Sequence, residues 1–307
     1  MAPFHIPDPD FERQPSSLRG MQAGCEETGI VLALGGGFSR GFAHLGVLQV
    51  LEQEQIPVAG IVGTSIGALL GAAYADGIPV SDLCDLGRRV RIRDFLRFRQ
   101  SDQEQGTQRK DCIGQFIQKW FRAGSLEELP ILTAIVATDL DSGAPYVFST
   151  GQMEVAIRAS CAFPGLVKPV EHDGRLLGDG CIVAPVPTEI AAGLNCGPVV
   201  GVCVNPNLGS SAASSHLENV VRVFDAGYRA SHRSALDPSW CRHADILLEP
   251  QIHHIDWSDF SRVDDAFAAG ADAMHLALPA VRKLLARQSQ LASASGLNFP
   301  TETGLSL

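Results

Sequence analysis

The stretch that decides the fold is Val58-Ala59-Gly60-Ile61-Val62-Gly63-Thr64-Ser65-Ile66-Gly67. Its apolar first half predicts a buried strand, and the small residues that follow it predict a helix. Between the two stands a G-x-S-x-G pentapeptide in the strand, turn and helix context of a nucleophile elbow. Glycines at Gly63 and Gly67 permit a turn in which a Cβ would clash. We therefore predict that Ser65 lies at the carboxyl end of the strand as a nucleophile.

A glycine-rich loop, Gly35 to Gly37, lies upstream and follows an apolar strand candidate at 30–34. Apolar residues at near-helical spacing then predict a helix to about Gln55. A right-handed crossover makes the two strands parallel, which places the loop and Ser65 at the same edge of the sheet. Backbone N–H groups there suit the oxyanion of acyl transfer. The spacing to Gly41 matches neither a dinucleotide fingerprint nor a Walker loop, and a tight turn without a ligand is the alternative.

A second candidate group, Asp179, stands between two glycines after a predicted hairpin whose turn is Asp173-Gly174. Its unencumbered backbone lets the carboxylate approach another loop closely. A surface Asp-Gly turn is the alternative. A serine hydroxyl needs a base that takes its proton, and burial raises the pKa of a carboxylate and makes it a better base.

These motifs together resemble those of bacterial patatin-like phospholipases. The resemblance rests on the G-G-G-x-[RK]-G loop at 35–41, the elbow, the D-G-[GA] element at 179–181 and the segment 158–165. It implies a three-layer α/β/α fold with a mostly parallel central sheet, and a Ser–Asp dyad that hydrolyses lipid acyl esters without a cofactor or metal. The implied roles are Ser65 as nucleophile, Asp179 as base, an oxyanion hole of Gly35, Gly36 and Gly37, and supporting positions at Arg40, Gly63, Gly67 and Gly180.

Two residues depart from the family pattern. Cys181 stands where Gly or Ala is usual, and Ala184 precedes Pro185 where Asn-Pro is frequent. Because Cys is small and behaves as a compact apolar residue, we expect it to be tolerated. It narrows the space near Asp179, with an effect on rate or substrate choice.

A Ser–His–Asp triad is the main rival to the dyad. His253 and His254 follow Asp179 and Asp245 in the chain order of an α/β-hydrolase. A His-His pair before Asp256-Trp257 is typical of a loop, and His44 beside the glycine loop is expected to be a buried contact between helix and sheet. A catalytically weak lipid-binding or regulatory protein of the same fold is the rival from another functional class.

Composition is consistent with one enzyme domain at 30–287, an extension at 1–29 and a flexible tail at 288–307. Of 307 residues, 45% are hydrophobic, and the net charge of −10 argues against nucleic acid as a partner. Eight cysteines without C-x-x-C spacing predict neither a zinc site nor a redox pair. Several of them lie in apolar strand-like runs, such as Cys203, which predicts reduced, buried thiols and a cytoplasmic location. No signal peptide or membrane span is recognisable. The head group, the acyl position and the oligomeric state stay open.

One arginine-rich segment, 81–99, stands out in this acidic chain. Its arginines alternate with apolar residues, which predicts an amphipathic helix. Such a helix contacts an anionic membrane through Arg91, Arg93 and Phe95, or it is a solvated helix whose arginines pair with the chain's own carboxylates. The polar segment 100–110 would then form a mobile loop over the site. Elsewhere the sequence predicts strands at 131–138, 146–148, 198–204 and 246–248, and helices at 215–234 and 262–287.

Overall fold

The computed structural model describes residues 29–90, 112–164, 167–204 and 241–294, the last four of these without their side chains. The strands are β1 (Ile30–Leu34), β2 (Val58–Thr64), β3 (Leu132–Asp139), β4 (Pro145–Phe148), β5 (Val170–His172), β6 (Arg175–Asp179), β7 (Val199–Val202) and β8 (Ile246–Leu248). The α-helices are α1 (Ala43–Gln53), α2 (Ile66–Ala75), α3 (Val80–Arg89), α4 (Cys112–Trp120), α5 (Met153–Ser160), α6 (Thr188–Gly193) and α7 (Val263–Ala294). Short 3-10 turns lie at Phe38–Phe42, Leu126–Glu128 and Gly180–Ile182.

The described strands form one sheet in the order β5-β6-β3-β2-β1-β7-β8, with β4 also paired to β3. The five strands from β3 to β8 along this path run parallel to one another. The hairpin β5–β6 and strand β4 pair with β3 in the antiparallel sense. This confirms the prediction that β1 and β2 are parallel. The turns after both strands therefore open at the same edge of the sheet.

Both faces of the sheet are buried. Along β1, Ile30, Leu32 and Leu34 belong to one large apolar cluster, while Val31 and Ala33 belong to a second. Because successive side chains of a strand point to opposite faces, the two clusters are the two interfaces between the sheet and its helices. Helices α1 to α5 and α7 contribute to the first cluster, and α6 contributes to the second. The molecule thus has three layers, α/β/α.

The contact between α1 and α7 depends on two glycines. A Cβ on Gly46 would lie 2.0 Å from the carbonyl oxygen of Phe267, and a Cβ on Gly270 would lie 1.9 Å from that of Ala43. Each glycine therefore faces the backbone of the other helix without a side chain between them. Helix α1, which follows the glycine loop in the chain, is thus packed between α7 and the sheet.

Most predicted elements are present, and two boundaries differ. Helix α3 ends at Arg89 because Val90 is extended (φ −69°, ψ 143°), so a single helix over 81–99 is wrong. The hydrophobic periodicity of the segment contained no signal for the end of this helix. Helix α7 continues to Ala294, into the predicted tail, since the alanines there favour a helix.

Several predictions lie outside the described residues. These are the extension at 1–28, the loop at 100–110, the helix at 215–234 and the membrane-contact residues Arg91, Arg93 and Phe95. Of the arginine segment's described part, Arg88 pairs with Asp85 and with Asp264 on α7. Within the described ranges, no helix combines the length and the apolar composition that crossing a bilayer requires.

We expect Gly270→Ala to destabilise the protein, because the new methyl group meets a carbonyl oxygen of another helix that cannot move alone. Overpacking of this kind typically costs about 1–3 kcal/mol. Thermal or urea unfolding measures the loss. Gly124→Ala is the matched control, since Gly124 is exposed and its Cβ position has only the Glu128 carboxylate nearby, at 3.7 Å. Equal stability of the two variants would contradict the proposed contact.

Candidate active site

The elbow holds Ser65 in a backbone conformation that non-glycine residues rarely adopt, with φ 54° and ψ −122°. Its two glycines are required by close approach. A Cβ on Gly63 would lie 2.5 Å from Cα of Ala68, and a Cβ on Gly67 would lie 2.3 Å from the carbonyl oxygen of Leu34. The strained turn is therefore clamped between α2 and β1. It leaves the serine hydroxyl at the carboxyl edge of the sheet.

The Ser65 hydroxyl donates a hydrogen bond to Asp179, with 2.8 Å between Oγ and Oδ2. Asp179 ends β6, opposite Ala137 of β3, so the antiparallel hairpin delivers the carboxylate to the edge that carries the elbow. The other carboxylate oxygen, Oδ1, accepts the N–H of Cys181 at 2.8 Å. A Cβ on Gly180 would lie 2.2 Å from the carbonyl oxygen of Val136, which explains the glycine after the aspartate.

Burial makes this carboxylate more basic than an ordinary aspartate. Only 1% of Asp179 is exposed. Desolvation raises its pKa from 3.8 to about 6, against the opposing effect of the hydrogen bonds from Cys181 and Ser65. The backbone of Asp179 is held on both sides, because its N–H donates to the carbonyl of Ala162 and its carbonyl accepts the hydroxyl of Thr138.

Ser160, at the end of α5, supports the elbow from below. Its buried hydroxyl accepts the N–H of Ser65 at 2.8 Å and donates to the carbonyl of Val136 at 2.6 Å. It thereby links the turn to β3. The sequence analysis included Ser160 in the family-like segment 158–165 but gave it no role. Its role in holding the elbow depends on a hydrogen bond to a residue 95 positions away in the chain.

The glycine loop has two kinds of N–H group. Those of Gly35 and Gly36 donate to the carbonyls of Val202 and Pro185, at 3.1 and 3.0 Å. Those of Gly37 and Phe38 make no hydrogen bond within the described residues. An N–H that already donates is not available to an oxyanion in this conformation. Of the three predicted donors, only Gly37 therefore has an available N–H.

Phe38 occupies the third glycine position of the family pattern, which the sequence analysis had assigned to Gly37. The pattern G-G-G-x-[RK]-G has six residues, whereas Gly35 to Gly41 has seven. Aligned on Arg40-Gly41, its third glycine falls on Phe38. The backbone agrees, because Phe38 has φ 49°, in the left-handed region that favours glycine. Its ring packs edge-on against Phe163 and Trp257, with centroids 5.2 and 5.0 Å apart, which holds this strained residue in place.

The residues after the loop anchor it to the segment 255–257. The Ser39 hydroxyl donates to the carbonyl of Trp257 at 2.8 Å, and Nε of the buried Arg40 donates to that of Ile255 at 2.7 Å. His44 holds the loop from the other side, with 2.7 Å between Nε2 and the carbonyl oxygen of Gly35. Burial lowers the pKa of His44 to about 4, so its ring is neutral and its bond is structural.

The histidines proposed for a triad lie elsewhere. His253 and His254 are exposed, and their rings pack against each other with centroids 5.8 Å apart. Asp245 accepts the N–H of Val199, at the amino end of β7, which is the opposite edge of the sheet from Ser65. Among the described residues, no histidine hydrogen-bonds to Ser65 or Asp179.

The cysteines correct one prediction. The expectation of reduced, buried thiols is wrong for Cys196, which is disulfide-bonded, because spacing along the chain does not show which distant cysteines meet. It is confirmed for Cys203, which is buried and reduced. Cys84, Cys161, Cys181, Cys203 and Cys241 are reduced. The described part of the chain contains no cluster of His, Cys, Asp and Glu that could hold a metal ion.

Comparison with known proteins identifies the family. The patatin-like phospholipase family profile matches residues 32–192. An uncharacterized NTE family protein of Mycobacterium tuberculosis is 33% identical over 235 residues, which are 73% of this chain and 64% of that protein. Patatin-like phospholipase domain-containing protein 6 of Mus musculus is 30% identical over 206 residues, covering 64% of this chain and 14% of that protein. The chain thus spans less than two thirds of these relatives.

A solved structure, VipD from Legionella pneumophila, matches with a TM-score of 0.48 and 12% identity, over 84% of this chain and 67% of that one.

The buried carboxylate makes stability depend on pH in a defined direction. Since the pKa of Asp179 is higher in the folded protein than its unfolded value of 3.8, the folded state binds more protons between these values. The free energy of unfolding therefore falls as pH rises from about 4 to about 6, by on the order of 3 kcal/mol, and stays lowered above that. Asp179→Asn removes this effect. We expect its melting temperature, relative to wild type, to increase between pH 4 and pH 7.

Asp259→Asn provides a control of opposite sign. A hydrogen bond from the Ser261 hydroxyl lowers the pKa of Asp259, so this carboxylate stabilises the folded protein above its unfolded pKa. Its replacement should become more destabilising as pH rises from 3 to 5. A melting-temperature difference for Asp179→Asn that does not change with pH would contradict the burial of an ionised carboxylate.

Proposed function

The chain belongs to the patatin-like phospholipase family, and from that premise we propose that it is a serine lipid acyl hydrolase working through a Ser65–Asp179 dyad. The observation that carries the proposal is the 2.8 Å hydrogen bond from the Ser65 hydroxyl to a buried carboxylate. Family membership supports lipid ester hydrolysis as the reaction class. The dyad assignment rests on the geometry of these two side chains.

In the proposed acylation step, Oγ of Ser65 attacks the ester carbonyl carbon while its proton passes to Oδ2 of Asp179. The carbonyl oxygen becomes an oxyanion, which the N–H groups of Gly37 and Phe38 stabilise. Collapse of the intermediate breaks the bond to the leaving alcohol, and Asp179 returns the proton to that oxygen. An acyl-Ser65 ester remains. Water then attacks this ester, with Asp179 again accepting and returning the proton.

The surroundings of the dyad suit an apolar acyl group. Phe38, Phe163 and Trp257 form an aromatic cluster where the glycine loop meets the segment that follows α5. Phe38 itself is partly exposed. The carbonyl of Ala162, next to Phe163, accepts the N–H of Asp179. An acyl chain on this cluster would exclude water from the carboxylate and keep it basic.

The proposed location is the cytoplasm, in peripheral contact with a membrane. The reduced thiols of the buried Cys84 and Cys203 support this compartment, since such thiols persist in a reducing environment. Fractionation of the source cells, followed by detection of the protein, decides the location.

We expect a fluorophosphonate probe to label wild-type protein on Ser65 and to leave Ser65→Ala unlabelled. Asp179→Asn should reduce ester turnover by about a hundredfold or more, because general base catalysis typically contributes that much. Peptide mapping and a p-nitrophenyl ester assay measure the two effects. His253→Ala and His254→Ala are the controls and should retain activity. A comparable loss in either histidine variant would support a triad instead.

A panel of phospholipids, lysophospholipids and neutral esters tests the substrate class. Hydrolysis of at least one lipid class supports the proposal. Binding to vesicles of these lipids without turnover, together with no labelling of Ser65, would indicate the lipid-binding alternative.

The pKa of Asp179 predicts how kcat/KM depends on pH on the acid side of the profile, here called the acid limb. Since only the ionised carboxylate accepts the serine proton, kcat/KM should rise about tenfold per pH unit up to about pH 6 and then level off. A soluble short-chain ester avoids effects of pH on lipid packing. A limb near pH 4 would mean that Asp179 is solvated in the working enzyme, and a limb near pH 7 would favour histidine.

A further inference from the structure

Cys181 brings a thiol to the dyad at a position where the family pattern has Gly or Ala. Its sulfur lies against the glycine loop, because a Cβ built on Gly36 would be 2.0 Å from Sγ. The same Cβ would be 3.2 Å from Cβ of Ser65. The thiol also makes a weak hydrogen bond to the Asp179 carboxylate, which lowers the pKa of that carboxylate, and a second one with the Ser65 hydroxyl. It therefore occupies the space enclosed by the loop, the nucleophile and the base.

This thiol is a poor substitute for water as a partner of the carboxylate. S–H is a weak hydrogen-bond donor, and the N–H of Cys181 already satisfies Oδ1. Burial, followed by the charge of Asp179, raises the pKa of the Cys181 thiol well above its ordinary value, so the thiol stays protonated and apolar in character. A water molecule in the same place would donate two stronger hydrogen bonds.

We propose that Cys181 is a positioning residue whose sulfur keeps water away from Asp179 and so preserves the carboxylate as the base for Ser65. The proposal rests on the dyad function proposed above. Removing Sγ opens a space of about one water molecule, and the Asp179 carboxylate and the Ser65 hydroxyl are the polar partners that such a water needs. Once solvated there, the carboxylate accepts the serine proton less readily.

The other groups around Asp179 leave this role to Cys181. Thr138 and Ala162, on the elements packed against it, hydrogen-bond to its backbone. Burial and the hydrogen bonds from Cys181 and Ser65 are the causes that shift its pKa. Of the nearby ionisable side chains, Cys161 interacts with Cys181, Arg40 and His44 bond to the carbonyls of Ile255 and Gly35, and Asp139 pairs with Arg175.

The test compares wild type with Cys181→Ala, which admits water, and Cys181→Ser, which keeps the size but adds a strong donor. We expect both variants to move the acid limb of kcat/KM to lower pH by about one unit. We also expect both to lower the plateau about three- to tenfold, since a less basic carboxylate is a weaker catalyst. Cys161→Ala is the neighbouring-thiol control, with an unchanged limb and plateau. The substrate is a soluble p-nitrophenyl ester assayed between pH 4.5 and 8.5.

The direction of the shift separates two roles for the thiol. If the weak hydrogen bond from the thiol to the carboxylate outweighed the exclusion of water, Cys181→Ala would move the limb to higher pH and Cys181→Ser would not follow it. That result overturns the proposal, as does an unchanged limb in both variants. A loss of folding in Cys181→Ala would appear in its melting temperature, and Cys181→Ser then carries the test alone.

A second measurement is independent of activity. The decrease in melting temperature between pH 4 and pH 7 that follows from buried Asp179 should become smaller in Cys181→Ser, because its carboxylate is better solvated. If wild type is inactive and the decrease in melting temperature is still smaller in Cys181→Ser than in wild type, the proposed function is contradicted and the role of Cys181 is supported. If wild type is active and the melting temperature decreases equally in wild type and in Cys181→Ser, only the proposed role of Cys181 is overturned.

Discussion

The site depends on one hydrogen bond made in a dry environment, from the Ser65 hydroxyl to the buried carboxylate of Asp179. In water an aspartate of ordinary pKa is a weak base for a serine. Burial changes this, and burial requires that β6, the elbow and the segment after α5 all meet at one edge of the sheet. The antiparallel pairing of β6 with β3 achieves that, because it brings the end of the hairpin beside the carboxyl end of β2. The direction of the hairpin is therefore as important to the chemistry as the two side chains.

The arrangement at this edge of the sheet also requires that backbone segments approach one another closely. Gly63, Gly67 and Gly180 each stand where a Cβ would meet a backbone atom at 2.5 Å or less. These contacts draw the elbow, β1 and β3 together without side chains between them. The motif glycines thus allow the close approach of Ser65 and Asp179 in addition to the conformation of the turn. A similar pair, Gly46 and Gly270, fixes the helix layer behind the loop.

Two of the five non-glycine residues with positive φ in the described part of the chain lie at this site. Ser65 and Phe38 both have positive φ without being glycine, and a carboxylate is buried beside them. Such features persist only where the surroundings determine them fully. Ser160 holds the N–H of Ser65, an aromatic cluster holds Phe38, and Thr138 and Ala162 hold the backbone of Asp179. At this edge, hydrogen bonds and packing contacts hold Ser65, Asp179 and the loop residue Phe38 in place.

From the sequence alone, the order of elements and the elbow were predictable, because hydrophobic periodicity and paired glycines depend on neighbouring residues. Ser65 and Asp179 were selected as a pair through the resemblance to the family's motifs, and the structure joins them by a hydrogen bond. The tertiary structure decided what arises between distant segments. It showed that the N–H groups of Gly35 and Gly36 donate to the carbonyls of Val202 and Pro185 and that Phe38 takes the third glycine position of the family pattern. It also showed that Ser160 supports the elbow and that α3 ends at Arg89. Hydrogen-bond partners, burial and close packing depend on chains brought together by the fold, and no spacing along the sequence encodes them.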